Sequence, residues 1–366
     1  MHAQENLIDQ LEGALASKDL SKRAEALRRV TDLFVLGSDR FTDDDVGLFG
    51  DVMSKLVEGI ELAARAAFGS RIARMSGAPP KVVRILAFDD AVEVAAPVLA
   101  HSDRLDDEAL VENARTKSQG HLLAISGRQT LVAAVTDVLV DRGNRLVLTG
   151  TAKNAGAAFS DFGFSTLVRK SHDDASLAMC IWSRPDIPRR DLVRLFVQAT
   201  EAVRSKLEAA DPRRASLIRA AVAEASDEVQ TLARAGSHEA AQALSSVQLM
   251  HASGRLNEAR LLEFAQVKSF DKTTVALSLM CELPVGLIER VMVQSHSEQL
   301  VVITKAIGLC WETCKALLLF QAGREVLTQE ELDRNFTSFS RLQRKTAQTA
   351  LQFYRLRERA DERSIH

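Results

Sequence analysis

Along this chain apolar residues recur three and four positions apart between successive breaks, the period of helices buried on one side. In residues 5–36, Leu7, Leu11 and Leu15 share one face and Ala26, Val30, Leu33 and Phe34 another, which predicts one or two amphipathic helices ending at Gly37. Thr42-Asp43-Asp44-Asp45 has the form of a capping box. Helical spacing then continues through Val46, Phe49, Met53, Leu56 and Ile60 to about Ala73, and Ser76-Gly77-Ala78-Pro79-Pro80 breaks it. A proline in the first turn of a helix costs no hydrogen bond, so the next helix is expected to start near Pro80.

From here the apolar register repeats. Val82-Val83-Arg84-Ile85 moved by about forty residues falls on Leu122-Leu123-Ala124-Ile125, and Val92, Val94, Val98 and Leu99 fall on Val132, Ala134, Val138 and Leu139. Leu123 reads as a core position of the second copy. Each unit reads as a short helix (82–87, 122–125), a longer one (91–100, 131–141), a polar turn and a third helix (107–117, 146–158), with Pro97 expected to kink the longer helix of the first unit. A third, weaker unit at an offset near forty-two matches Leu122 to Phe164, Ile125 to Leu167 and Arg128 to Lys170. A forty-residue period in a helix-favouring sequence is that of HEAT and armadillo repeats, stacked units that bury an apolar face only against each other.

Ser183-Arg184-Pro185-Asp186-Ile187-Pro188 is the clearest break, and a domain edge is placed there. Two long helices follow. Residues 189–210 carry Leu192, Phe196, Ala199, Val203 and Leu207 in one stripe, and residues 217–235 carry Ile218, Val222, Ala225, Val229 and Leu232, so the pair reads as a hairpin turning at Asp211-Pro212. A shorter repeat at an offset of twenty-six then superposes Ala276-Leu277 on Val302-Ile303, Leu283-Pro284-Val285 on Leu309-Cys310-Trp311, and Val291-Met292 on Leu317-Leu318. Thr328-Gln329-Glu330-Glu331 is a second capping box, and a last helix over 342–357 runs into a basic tail.

The degenerate repeats in front, the Arg184–Pro188 break and the short repeat around Leu283-Pro284-Val285-Gly286-Leu287-Ile288 together resemble a family of uncharacterised bacterial proteins, found mainly in alphaproteobacteria and known only as a domain of unknown function with HEAT-like repeats. The resemblance covers roughly residues 42–325. It implies an all-α helical solenoid in a bacterial cytoplasmic protein, and it implies no reaction.

Composition narrows the function without naming it. The hydrophobic fraction of 46%, charged fraction of 26% and net charge of −2 are those of a soluble protein with no global field for nucleic acid or an anionic membrane. No apolar run approaches the roughly 20 residues of a membrane helix, the start Met1-His2-Ala3-Gln4-Glu5 is polar and lacks the apolar stretch of a secretory signal, and four scattered cysteines read as reduced thiols, so a cytoplasmic location is expected. No Walker or dinucleotide loop, nucleophile elbow or His-Glu-x-x-His helix occurs, and the glycines of 150–156 fall at a repeat-helix position. Cys310 and Cys314 lack a second metal-ligand pair and read as core thiols. His172-Asp173, with His101 or His121 upstream and Asp211 or Asp227 downstream, is the one pattern that suggests a metal phosphohydrolase of the HD type. It stands against the simpler reading of Asp as an N-cap for helix 175–182.

The reading is therefore an all-α α-solenoid of HEAT/armadillo-like repeats followed by a second helical-repeat segment: N-terminal helices over 1–41, a repeat segment over 42–187, a hairpin and short repeat over 188–325, and terminal helices with a basic tail over 326–366. The expected function is a non-enzymatic scaffold or adaptor, with no cofactor and no metal, that binds a protein partner or itself. Nucleic acid and membrane are disfavoured, and a sensor of a nucleotide second messenger is the main alternative. Stacked helix pairs offer a long surface for such binding. The candidate contact residues are Arg104, Arg142 and Arg145 in the repeat turns and Arg355 and Arg357 in the tail.

Overall fold

The computed structural model describes residues 19–37, 41–294, 297–323 and 327–363, with side chains to Leu356. The helical stripe of Leu7, Leu11 and Leu15 lies outside the described residues. The chain divides into two compact units, residues 1–184 and 185–366. All regular structure among the described residues is helical, apart from one isolated parallel bridge between Leu131 and Ala157. The fold is an all-α helical-repeat fold.

The first unit holds α1 (Leu20–Gly37), α2 (Asp43–Val57), α3 (Leu62–Ile72), α4 (Pro80–Ala87), α5 (Val92–His101), α6 (Asp107–Thr116), α7 (Gln119–Ser126), α8 (Ala133–Arg142), α9 (Arg145–Lys153), α10 (Asp161–Lys170) and α11 (Ala175–Trp182). The Thr42 hydroxyl and Asp45 close the expected capping box at the start of α2. The helix expected to run unbroken to Ala73 instead stops at Val57, because Gly59 takes φ +80° and turns the chain into α3. α9 likewise ends at Lys153, short of the expected Ala158, and the chain passes beside Leu131, whose carbonyl accepts from Ala158 N at 2.8 Å.

These helices stack in two layers. α3, α5, α7, α9 and α11 pack one on the next, and in the other layer α2 packs on α4 and α6, α8 and α10 follow one another. Helices of one layer start 26 to 30 residues apart from Pro80 onward, at Pro80, Asp107, Ala133 and Asp161 and at Val92, Gln119, Arg145 and Ala175. The structural unit is thus a helix pair, and the forty-residue offset read from the sequence spans three helices. It aligns α4 with α7 and α5 with α8, helices of opposite layers, which share an apolar register because both layers bury one face toward the same core. Within that register Leu122 is wholly buried whereas Leu123 is 42% exposed, so the core position is one residue earlier than expected.

Side-chain donors join each unit to the one before. A helix of eight to ten residues leaves four carbonyls unpaired at its end, nearly half its acceptors. The Asn113 amide donates to Ala87 O at 2.8 Å, and the Arg142 guanidinium donates to Ala114 O and Lys117 O. Lys170 Nζ donates to Asp141 O at 2.6 Å, closing the same contact once more in that layer. In the other layer Arg128 donates to Leu99 O and Ser102 O at 2.6 and 3.0 Å, and Asn154 to Ser126 O and Arg128 O at 2.9 and 2.7 Å. Arg184 completes the series with bonds to Ala152 O, Asn154 O and Ala157 O, its guanidinium resting 4.6 Å from the Phe159 ring centroid.

The second unit holds α12 (Arg189–Ala210), α13 (Ala215–Ala235), α14 (His238–Ala252), α15 (Glu258–Gln266), α16 (Phe270–Cys281), α17 (Val285–Val293), α18 (Ser297–Ile307), α19 (Trp311–Ala322), α20 (Gln329–Arg341) and α21 (Arg344–Arg363). The offset of twenty-six is visible as two helix pairs, α16–α17 and α18–α19. α16 ends on Glu282 at φ +52° and α18 on Gly308 at φ +83°, and Leu283 N and Leu309 N reach back to Ser278 O and Thr304 O. Gln321 at the end of α19 donates to Val291 O at the end of α17, a contact like those of the first unit.

Two outcomes follow for stability. Leu122→Asp should cost about 3 kcal/mol or more, while Leu123→Asp should stay within about 1 kcal/mol in denaturant unfolding; equal effects would overturn the placement of the core. Arg184→Met keeps the stem but strands three carbonyls, and should lower stability by about 2 kcal/mol, read by the same titration.

Candidate functional site

Of the five expected contact arginines, Arg104, Arg142 and Arg145 lie in the first unit and Arg355 and Arg357 in the second. Arg104 is exposed in the turn after α5, and its side chain makes no ion pair among the described residues. Arg142 is occupied by carbonyls at the end of α6. Arg145 pairs with Asp174 at 2.6 Å, with most of its side chain in solvent. Arg355 in α21 donates from Nε and Nη2 to Cys281 O at 2.9 and 2.8 Å and stands 3.4 Å from Glu282. The side chain of Arg357 lies outside the described residues. Two of the five thus already serve as helix-end clamps.

The pattern that suggested metal chemistry is dispersed as well. His121 is buried, with Nε2 donating to Asp89 O at 2.9 Å and Nδ1 2.8 Å from the Ser118 hydroxyl, which leaves no ring nitrogen for a metal. His172 and Asp173 are exposed, and Asp174 beside them caps α11 by accepting from Ser176 N and Leu177 N. Among the described residues no three His, Cys, Asp or Glu side chains gather as metal ligands. Cys310 is the N-cap residue of α19 rather than part of its core, and burial pushes the Cys314 thiol up to about 11. The turn at 154–156 is filled by the protein itself: a Cβ on Gly156 would lie 1.9 Å from Gln129 O.

What the structure does bring together is an apolar ridge on one layer of the first unit. Leu123 of α7, Leu146 of α9 and Met179 and Trp182 of α11 are all exposed, Leu146 at 65% and Met179 at 62%, on three helices that pack in succession. Leu123 and Gly150 are neighbours across the α7–α9 contact. Sequence reasoning took Leu123 for a core position. The spacing held the opposite signal for Met179, since Leu177 and Ile181 are buried and a residue midway between positions four apart points the other way.

The second unit contains a buried ion network drawn from four helices. Glu289 of α17 is 1% exposed and accepts from Arg189 of α12 at 3.0 Å and from Arg234 of α13 at 3.0 and 3.1 Å. Asp271 of α16 lies 3.7 Å from Arg189. Burial pushes the Asp271 carboxyl up to about 6; the Arg189 charge opposes this, and Glu289 and Glu239 add to it. Two cations and two carboxylates thereby fasten the α12–α13 hairpin to α16 and α17. Beyond them a cleft of about 490 Å³ is lined by Arg194, Gln294, Ser297, Asn335 and Ser338 among others, with Glu298 and Glu331 on its wall. Ser297 Oγ donates to Asn335 Oδ1 at 2.8 Å across it. Its donors and acceptors fit a small polar molecule.

The chain matches, over residues 94–352, the family described as "Uncharacterised protein conserved in bacteria (DUF2336)", and it belongs to that family. The matched span begins in α5 and ends in α21, later at both ends than the resemblance read from the sequence. No curated protein and no solved structure matches.

Asp271 binds its proton more tightly folded than unfolded, so its contribution to stability is greatest below about pH 4 and is lost as pH rises toward 6. Asp271→Asn should remove a fall on the order of 2 kcal/mol across that window. Urea unfolding at half-unit pH steps checks it; parallel profiles for the two proteins would refute the assignment.

Proposed function

We propose that this chain is a non-enzymatic helical-repeat scaffold of the bacterial cytoplasm that holds a protein partner along the α7–α9–α11 face. The observation that supports this reading is the exposed ridge of Leu123, Leu146, Met179 and Trp182 on three consecutive helices of one layer. Exposed apolar side chains scattered singly need no explanation, but a row of them on adjoining helices is the form of an interaction surface, and Met and Trp are enriched at such surfaces. Stacked short helices supply the area, and partner choice comes from the side chains exposed on that face. Arg104, exposed in the turn after α5, offers a cation for it, and Arg145, paired with Asp174 but mostly in solvent, offers another at the cost of that pair. No described helix is long and apolar enough to cross a membrane, which agrees with a role away from the bilayer.

A small-ligand sensor is the second reading, supported by the polar cleft of about 490 Å³ with Arg194 on its wall. It would bind a compact polar ligand such as a nucleotide second messenger. Ligand-dependent thermal stabilisation without turnover is its signature.

A photo-crosslinking residue at Met179 should capture a defined protein in the native host, and one at Glu108, exposed on α6 in the other layer, should not. Leu146→Asp with Met179→Asp should abolish co-purification of that protein at an unchanged melting temperature. Capture of the same protein from both positions, or its retention by the double variant, would exclude the ridge.

A further inference from the structure

We propose that the α12–α13 hairpin is a self-association surface, on which two copies of the chain pair their hairpins antiparallel into a four-helix bundle. This goes beyond the scaffold reading and rests on residues of the other unit. Ala199, Val203 and Leu207 of α12 and Ala225, Val229 and Leu232 of α13 belong to stripes spaced by three and four residues, the spacing of helices that pack at a shallow angle in bundles. In the single chain all six are exposed, Val203 at 51% and Leu232 at 67%. The two side chains that α13 buries are Ser226 and Gln230, both polar. An amphipathic helix of a monomer has the reverse arrangement.

Charge selects a second copy as the occupant and sets its direction. Lys206 and Arg213 flank the turn of the hairpin, Glu224 and Glu228 lie further along α13, and none of the four has an ion-pair partner among the described residues. Arg213 and Glu228 are separated by roughly 22 Å of helix at 1.5 Å per residue. When a second α13 lies antiparallel, crossing near Ala220 and Ala221, Arg213 of each copy meets Glu228 of the other. A parallel copy would set like charges together. Area permits the pairing: two helices about 30 Å long and 10 Å across offer on the order of 600 Å² per copy, about 1,200 Å² in all, the lower bound of stable interfaces.

Sedimentation velocity of the purified full chain tests this without any partner, so its failure leaves the ridge reading untouched. Wild-type protein should show a concentration-dependent dimer in the micromolar range. Val229→Asp with Leu232→Asp should raise the dissociation constant more than tenfold while the far-ultraviolet spectrum and melting temperature stay the same, because neither side chain is core in the single chain. Glu228→Arg should weaken the dimer several-fold, and adding Arg213→Glu to it should restore the original constant. A wild-type monomer at every concentration up to about 100 μM, or a dimer indifferent to the aspartates, would overturn the proposal. Failure of the charge exchange to restore binding would overturn the antiparallel pairing.

Discussion

Orphaned carbonyls govern this architecture. A unit of two helices, each eight to ten residues long, ends its backbone hydrogen bonding so often that unmatched acceptors accumulate faster than loops and water can serve them in a packed stack. The chain answers with a donor placed about one helix pair later: Asn113, Arg128, Arg142, Asn154, Lys170 and Arg184 each reach back to the end of the preceding helix of the same layer. Such a bond is directional where apolar packing is not, so it sets register between units whose core residues can drift. That accounts for a repeat in which apolar character persists while identities change.

The same constraint explains what was legible. Helix existence, both capping boxes, the start at Pro80, the limits of α12 and the paired helices at an offset of twenty-six depend on local chemistry, and the structure has them where the residues indicate. The correspondence of Arg128 with Lys170 held real information, since each closes a helix end one unit back. The period was misjudged because apolar register cannot distinguish one layer from the other when both face a shared core. Leu122 and Leu123 show the limit at single-residue scale: two adjacent leucines fit either register, and only the partner helix decides.

Sites were harder to read than folds for a related reason. An arginine that clamps a helix-end carbonyl and an arginine that awaits a partner are the same letter, and Arg142 and Arg355 proved to be of the first kind. The ion network was invisible for want of sequence proximity: Glu289 lies 100 residues from Arg189 and 55 from Arg234. Its members came into view only once four helices had converged.

That network also bears on why the hairpin is built as it is. Within the second unit α12 is anchored by Val193 in the core and Val197 against it, and the hairpin is fastened further by charge, through Glu289 with its two arginines and through Asp227 with Arg290, while the outer parts of the apolar stripes stay exposed. A buried ion pair is a weak source of net stability, since desolvation offsets most of the attraction, but it is selective about geometry. Fastening the hairpin by its polar face leaves the apolar face outward, a cost that no isolated chain recovers. The free energy of that face is realised only against another surface. The ridge of the first unit is left outward on different helices, and a chain paired through its hairpin would carry two such ridges. Joining two copies then makes the second contact with a bivalent partner intramolecular, and avidity grows without any new residue at either surface.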